Sequence, residues 1–212
     1  TYVEKSCKLG DLEGCYNLGY MWDEGKGGKA DDAKAAKLYK QACDGGYALG
    51  CTNLGYLYVE GHGVKKDIAR GMALFEQGCA ANDSIGCFNM GSMLYKGERV
   101  PADKAKGAAL FVKACGLGDK DGCFGAGVAH ETGSGVDKDI VVANDYYRRA
   151  CDKGNGPGCF NLANAHYNGT GAEKDLTKAT EYYVRACEGG DVEGCVTAGW
   201  SYEKGEGVAI DK

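Results

Sequence analysis

Residues 43–79 read CDGGYALGCTNLGYLYVEGHGVKKDIARGMALFEQGC, and this stretch decides the fold. Apolar residues recur every three or four positions in GCTNLGYLYVEG (50–61) and again in DIARGMALFEQGC (67–79). That is the period of amphipathic helices and not of strands. The pattern returns along the whole chain at a spacing of 36 residues. A first cysteine stands at Cys7, Cys43, Cys79, Cys115, Cys151 and Cys187, and a second, just after a glycine, at Cys15, Cys51, Cys87, Cys123, Cys159 and Cys195. A fixed period of this size marks a stacked repeat array, whose function lies on a continuous surface and not in one pocket.

Other columns punctuate the same register. Asp31, Asp67, Asp103, Asp139, Asp175 and Asp211 each precede the second helical run of a unit. Six carboxylates in one register invite a catalytic reading, but an aspartate there accepts the orphan amide bonds of a helix start, worth about 1 kcal/mol per cap. Gly25, Gly61, Gly97, Gly133, Gly169 and Gly205 close the preceding helix, as a residue in the left-handed conformation does. Gly-x-Gly pairs such as Gly61 and Gly63 follow a helix, so they are loop punctuation and no phosphate cradle. Inside the first helix, Gly19, Gly55, Gly91, Gly127 and Gly199, with Ala163 as the variant, mark where another helix crosses closely. In the second helix, small residues (Ala35, Gly71, Gly107, Ala143, Ala179) face large ones (Tyr39, Phe75, Phe111, Tyr147, Tyr183), an interlock expected of a core.

The first cysteine of each pair falls in the last turn of one helix and the second in the first turn of the next. Antiparallel helices joined by a short turn bring those ends within bonding reach. Pairing is expected in chain order: Cys7–Cys15, Cys43–Cys51, Cys79–Cys87, Cys115–Cys123, Cys151–Cys159 and Cys187–Cys195. Closing so short a loop is worth about 2.5 kcal/mol. Zinc and buried free thiols are the rival assignments. Zinc sites favour two to four residues between paired ligands, where this chain has seven; free cysteine packs well in a core. Twelve evenly paired cysteines point to an oxidising compartment, secreted or periplasmic, with the mitochondrial intermembrane space as the alternative.

Net charge is −5, which argues against nucleic acid as a partner, because phosphate binding needs a basic face. No run of about 20 apolar residues exists to span a membrane. The chain opens on TYVEKSC (1–7), the second half of a helix, and ends on GVAIDK (207–212), the approach to another. It reads as a fragment or processed form, so a missing targeting segment carries little information.

The stretch LGYLYVEGHGVKKDIARGMALFEQGC (54–79) resembles a Sel1-like repeat, a relative of the tetratricopeptide repeat. The added Cys-x7-Cys in every unit resembles the Helicobacter cysteine-rich protein group. The likeness departs where Gly125 and Ala126 replace Asn-Leu and where Arg99 replaces the second loop glycine. It implies an all-α fold, an α/α solenoid in which residues 1–212 form one right-handed superhelix of six units, the first and last incomplete, stapled by disulfides. It also implies that the first helix of each unit lines a concave groove. Leu18, Leu54, Met90 and Leu162 then face the core, and beside them Asn17, Asn53, Asn89 and Asn161 look into the groove. Tyr16, Phe88, Phe124 and Phe160 lie next to the asparagines, with Tyr20, Tyr56 and Trp200 one turn on.

An asparagine side chain has a donor and an acceptor, so it can bond a peptide backbone as a neighbouring strand would. A ladder of them can hold an extended peptide of any sequence, with the aromatics setting preference. The alternative is that the asparagines satisfy nearby helix ends or loops. The expected partner is thus a peptide or protein, bound by a monomer or by copies stacked end to end. No metal or cofactor is expected. His130 and His166 share a column with Trp22, Tyr58 and Tyr202; they could meet a metal, but such a position is more often held by a core histidine with one bonded nitrogen.

Members of the cysteine-rich group are described as penicillin-binding or weakly β-lactamase-active, which the resemblance carries as an alternative function. Serine β-lactamases use Ser-x-x-Lys, Ser-Asp-Asn and Lys-Thr-Gly. Ser201-Tyr202-Glu203-Lys204 fits the first, and neither companion occurs. No Gly-x-Ser-x-Gly elbow is present either, so the sequence itself supports no nucleophile.

Overall fold

The computed structural model of the protein describes residues 1–26 and 28–208. Among the described residues there are twelve α-helices and no strand. The chain divides into two compact units, Thr1–Ala102 and Asp103–Lys212. The first holds α1 (Tyr2–Lys8), α2 (Leu12–Asp23), α3 (Asp32–Asp44), α4 (Ala48–Glu60), α5 (Ile68–Ala80) and α6 (Ser84–Lys96). The second holds α7 (Lys104–Gly116), α8 (Lys120–Thr132), α9 (Ile140–Asp152), α10 (Gly156–Asn168), α11 (Leu176–Glu188) and α12 (Val192–Lys204). Within each unit every helix packs on the next, and α4 also meets α6 as α10 meets α12. No helix of the described residues is long and apolar enough to cross a membrane.

Local chemistry sets the helix ends. Asp31, Asp67, Asp103 and Asp175 accept from the backbone N–H three residues on at 2.9–3.0 Å, and Asp139 accepts from Val141 and Val142. Asp211, the last of that column, lies outside the described residues. The backbone bonds lower the carboxyls of Asp31 and Asp175 below their ordinary value. The second cysteine falls in the first turn of each even-numbered helix, as expected: α4 starts at Ala48, three residues before Cys51. From α6 onward a second capping column fixes that start, whereas α2 and α4 begin without a side-chain cap. Asp83, Asp119, Asn155 and Asp191 accept from Ile85, Gly122, Gly158 and Gly194 at 2.5–3.2 Å. Gly61 closes α4 at φ 81°, in the left-handed region, and its equivalents close the later even-numbered helices in the same way.

Glycine inside α2, α4 and α8 permits close crossing, whereas at Gly199 of α12, expected to do the same, nothing lies within 4 Å of an added Cβ. A Cβ on Gly127 would stand 2.6 Å from the Tyr147 ring, and one on Gly55 would stand 2.9 Å from the Phe75 ring. The large residues Tyr39, Phe75, Phe111, Tyr147 and Tyr183 are all buried, each worth about 2–3 kcal/mol of apolar burial. All six cystines form in chain order, with Cα atoms 4.3–4.6 Å apart and no free cysteine. They belong to the core as well as closing hairpins: Cys7 and Cys15 pack on Ala42, Cys115 and Cys123 on Ala150, Cys151 and Cys159 on Ala186. A side chain larger than alanine at those three places would push into the bridge.

Candidate functional site

Within the units, three pairs of even-numbered helices, α4 with α6, α8 with α10 and α10 with α12, leave a hollow between them in the same register. Between α4 and α6 it measures about 210 Å³ and is lined by Tyr56, Val59, Phe75, Phe88, Asn89, Ser92 and Met93, with Glu60, Glu98 and Arg99 alongside. Two periods later, between α8 and α10, the equivalent residues Glu131, Tyr147, Asn161, Asn164 and Ala165 line one of about 150 Å³. One period further, Tyr167, Tyr183, Thr197, Trp200 and Ser201 line a third of about 300 Å³ between α10 and α12. The two in the second unit share Asn164 and Asn168. Pockets for drug-sized ligands run from about 300 to 1,000 Å³, so the first two hollows suit single side chains and the third stands at the lower end of that range.

Their chemistry differs from one to the next. The Tyr147 hydroxyl donates to Glu131 Oε2 at 2.5 Å, and the Tyr183 hydroxyl donates to Asn164 Oδ1 at 2.7 Å. In the first hairpin of this kind, Tyr39 donates to Asp23 Oδ2 at 3.0 Å. Burial pushes the Asp23 carboxyl above its ordinary value, which the Tyr39 bond partly offsets. Between α4 and α6 the phenol and its carboxylate are replaced by Phe75 and Val59. A buried hydroxyl requires an acceptor and a phenyl ring requires none, so that hollow alone among the three has an apolar floor.

The expected binding residues fall into three groups. Tyr56, Phe88 and Asn89 line the α4–α6 hollow, Asn161 the α8–α10 hollow and Trp200 the α10–α12 hollow. Asn17 and Tyr20 are exposed on α2, with the Lys26 ammonium 4.3 Å from the centre of the Tyr20 ring. Asn53 stands beside two phenols: burial raises Tyr16 and Tyr39 above the ordinary value, and bonding to the Asn53 amide partly offsets it. Tyr16, Phe124 and Phe160 are half-buried. Tyr16 packs on Tyr39 and Tyr47, Phe124 on Tyr147 and Phe160 on Tyr183, with centroids 5.3–5.9 Å apart. Leu54, Met90 and Leu162 are buried, and Leu18 is half-buried.

Some lining residues escaped the sequence reading: Val59, Ser92, Met93, Glu131, Asn164 and Asn168. A signal for them exists. Asn164 stands in the column of Tyr20, Tyr56 and Trp200, and Val59 and Glu131 stand in the column of Asp23.

The other sequence candidates sit against local groups, although His130 Nδ1 is buried without the hydrogen bond expected of a core histidine. His130 stacks on Tyr146 and His166 on Tyr182, with centroids 5.6 and 5.7 Å apart. His166 Nδ1 also bonds the Glu173 carbonyl at 3.0 Å. Among the described residues no group of three or more His, Cys, Asp or Glu side chains is placed to hold a metal ion. Ser201 is buried and donates to the Thr197 carbonyl at 3.1 Å, while the Lys204 ammonium lies 5.0 Å from the centre of the Trp200 ring. Serine and lysine of that motif are therefore engaged with different groups.

Helical hairpins repeated at 36 residues, stacked in register and stapled by cystine, define an α/α repeat protein of the solenoid class. The Sel1 repeat pattern matches residues 12–47, 48–83, 84–119, 120–155 and 156–191, and the chain belongs to the Sel1 repeat family. In that register Cys43–Cys51 ties the first matched repeat to the second. A Sel1 repeat protein from Oxalobacter formigenes is 32% identical over 96% of this chain and 84% of its own, with a TM-score of 0.87. A protective antigen of uropathogenic Escherichia coli strains that displays an SLR fold is 27% identical, with a TM-score of 0.88. The match covers 99% of this chain but 45% of that antigen, so the chain spans less than half the antigen's length. Helicobacter pylori cysteine rich protein B is 30% identical over 57% of this chain and 87% of its own, with a TM-score of 0.47. No curated protein matches the sequence.

Proposed function

We propose that the protein is a non-catalytic scaffold that holds an extended segment of a partner protein along the even-numbered helices of each unit. The observation that carries this reading is the recurrence of one side-chain-sized hollow in register, with Asn89 and Asn161 at the same place in two of them. An amide there can donate to and accept from a peptide backbone whatever its sequence, while the hollows beside it take side chains and set preference. Neutral amides and aromatics, with small net charge, suit a polypeptide better than a polyanion. Membership in a repeat family whose units present extended surfaces supports the same conclusion. Six cystines support an oxidising working compartment outside the cytosol, and within that class the reading favours a secreted or periplasmic protein.

The test uses the oxidised chain and peptides selected on it from a displayed random library. The Asn53→Ala/Asn89→Ala double variant should bind the selected peptides at least about fivefold more weakly, the scale of one or two lost hydrogen bonds, with unchanged helix content. Unchanged affinity in the folded double variant contradicts the reading.

A further inference from the structure

We infer that the hollow between α4 and α6 is a specificity subsite for one bulky apolar side chain, aromatic or methionine, carried by a partner segment with a lysine or arginine beside it. This rests on the partner-binding reading above and names what the first unit selects.

The floor is the first argument. Tyr147 with Glu131, and Tyr183 with Asn164, put a bonded polar pair into the equivalent hollows. Here Phe75 and Val59 stand in their place and Phe88 and Met93 complete the wall. Filling this space with an apolar group strands no hydrogen-bonding atom, whereas the polar hollows would penalise it. Its volume, about 210 Å³, matches one side chain and not a drug-sized molecule.

Arg99 is the second and independent argument. In its column the chain otherwise carries Gly27, Gly63, Gly135, Gly171 and Gly207, and at Gly63 and Gly135 a Cβ would collide with backbone at 2.2 and 2.3 Å. Arg99 keeps the left-handed conformation at φ 68°, which is strained for a residue with a side chain. Strain of this kind gathers at binding sites. Its guanidinium crosses to α4, where both terminal nitrogens donate to the Glu60 carboxylate at 2.6 and 3.2 Å. That hydrogen bonding holds the Glu60 carboxyl below its ordinary value. The fork ties the loop after α6 to the end of α4 beside the hollow and neutralises Glu60. Glu98 remains, exposed and without a salt bridge among the described residues. Two carboxylates against one guanidinium leave the lining negative, which selects a cationic neighbour for the apolar anchor.

The test is the displayed random-peptide library panned in parallel on the oxidised chain and on three variants: Ser92→Trp, Glu98→Lys and Asn53→Ala/Asn89→Ala. Ser92→Trp fills the hollow from α6, and folding is expected to survive because Trp200 occupies the equivalent place on α12. The unaltered chain should enrich peptides with an aromatic or methionine next to lysine or arginine. Ser92→Trp should remove the apolar preference and weaken the selected peptides at least about tenfold, the scale of one buried anchor. Glu98→Lys should turn the flanking preference from basic to acidic. Peptides lost on the double asparagine variant but bound unchanged by Ser92→Trp and Glu98→Lys overturn the subsite and leave the scaffold reading standing. No enrichment on any form overturns both.

Discussion

The Tyr39 hydroxyl donates to the Asp23 carboxylate at 3.0 Å, joining the buried face of α3 to α2. Burial raises the Asp23 carboxyl above its ordinary 3.8. A raised folded-state value means that the folded protein binds this proton more tightly than the unfolded chain does. The resulting stability is fully present below about pH 3.8 and is lost as pH rises through the folded value. Asp23→Asn should therefore stabilise the protein at pH 7 and not at pH 3, since an amide still accepts the Tyr39 bond, as Asn164 accepts from Tyr183. Asp23 is only half-buried, so the gain should stay under about 1 kcal/mol. Denaturant titration of both proteins at the two pH values measures it; equal stability at pH 7 is the contrary result.

Tyr147 and Glu131 form the same kind of pair on α9 and α8. Tyr147→Phe alone should cost about 1 kcal/mol by leaving the carboxylate without its donor. Adding Glu131→Val recreates the Phe75 and Val59 arrangement of the first unit and should recover most of that loss. A double-mutant cycle by chemical unfolding gives the coupling; additive losses would show that the pair contributes nothing as a pair.

Cys115 and Cys123 close a short loop and pack under Ala150. Replacing both with alanine should lower unfolding free energy by about 2.5 kcal/mol. Guanidinium unfolding reads this directly, and a change below about 1 kcal/mol would mean that the bridge restrains little.

Two glycines on equivalent helix positions should respond with opposite sign to the same substitution. Gly127→Ala drives a methyl group into the Tyr147 ring, 2.6 Å away, and should destabilise by about 1–3 kcal/mol. Around Gly199 nothing lies within 4 Å of the added carbon, so alanine there should stabilise by up to about 1 kcal/mol through helix propensity. Thermal unfolding of the two variants decides it; equal effects would contradict the close crossing at Gly127.

The period made much of this molecule legible. Because Cys43 and Cys51 recur with a helix on either side, the register alone dictated which sulfurs meet, and Asp67 and Gly61 announced a helix start and a helix end. The hollows were not legible, because each is assembled from side chains of three successive helices whose packing sets its depth. Phe75 reads as a core residue and Val59 carries no signal of its own; only comparison with Glu131 and Tyr147 in the same columns shows that a polar pair has been exchanged for an apolar one. Arg99 was visible as a glycine replaced in a loop, but nothing in the sequence said that its side chain would reach Glu60. Tyr16, Phe124 and Phe160 sit at the boundary between the asparagine face and the core. For such residues helical periodicity leaves the side undecided, and the aromatic rings of the neighbouring odd-numbered helices settle how they pack.

Site-specific photo-cross-linking tests the central claim, that the even-numbered helices grip a partner segment. A benzophenone side chain is introduced at Tyr56 or, in a second protein, at Val141, which is exposed on α9. Each oxidised protein is irradiated with a peptide selected on the unaltered chain. The account predicts a peptide adduct from position 56 and none from position 141; an adduct from position 141 with none from position 56 would contradict it.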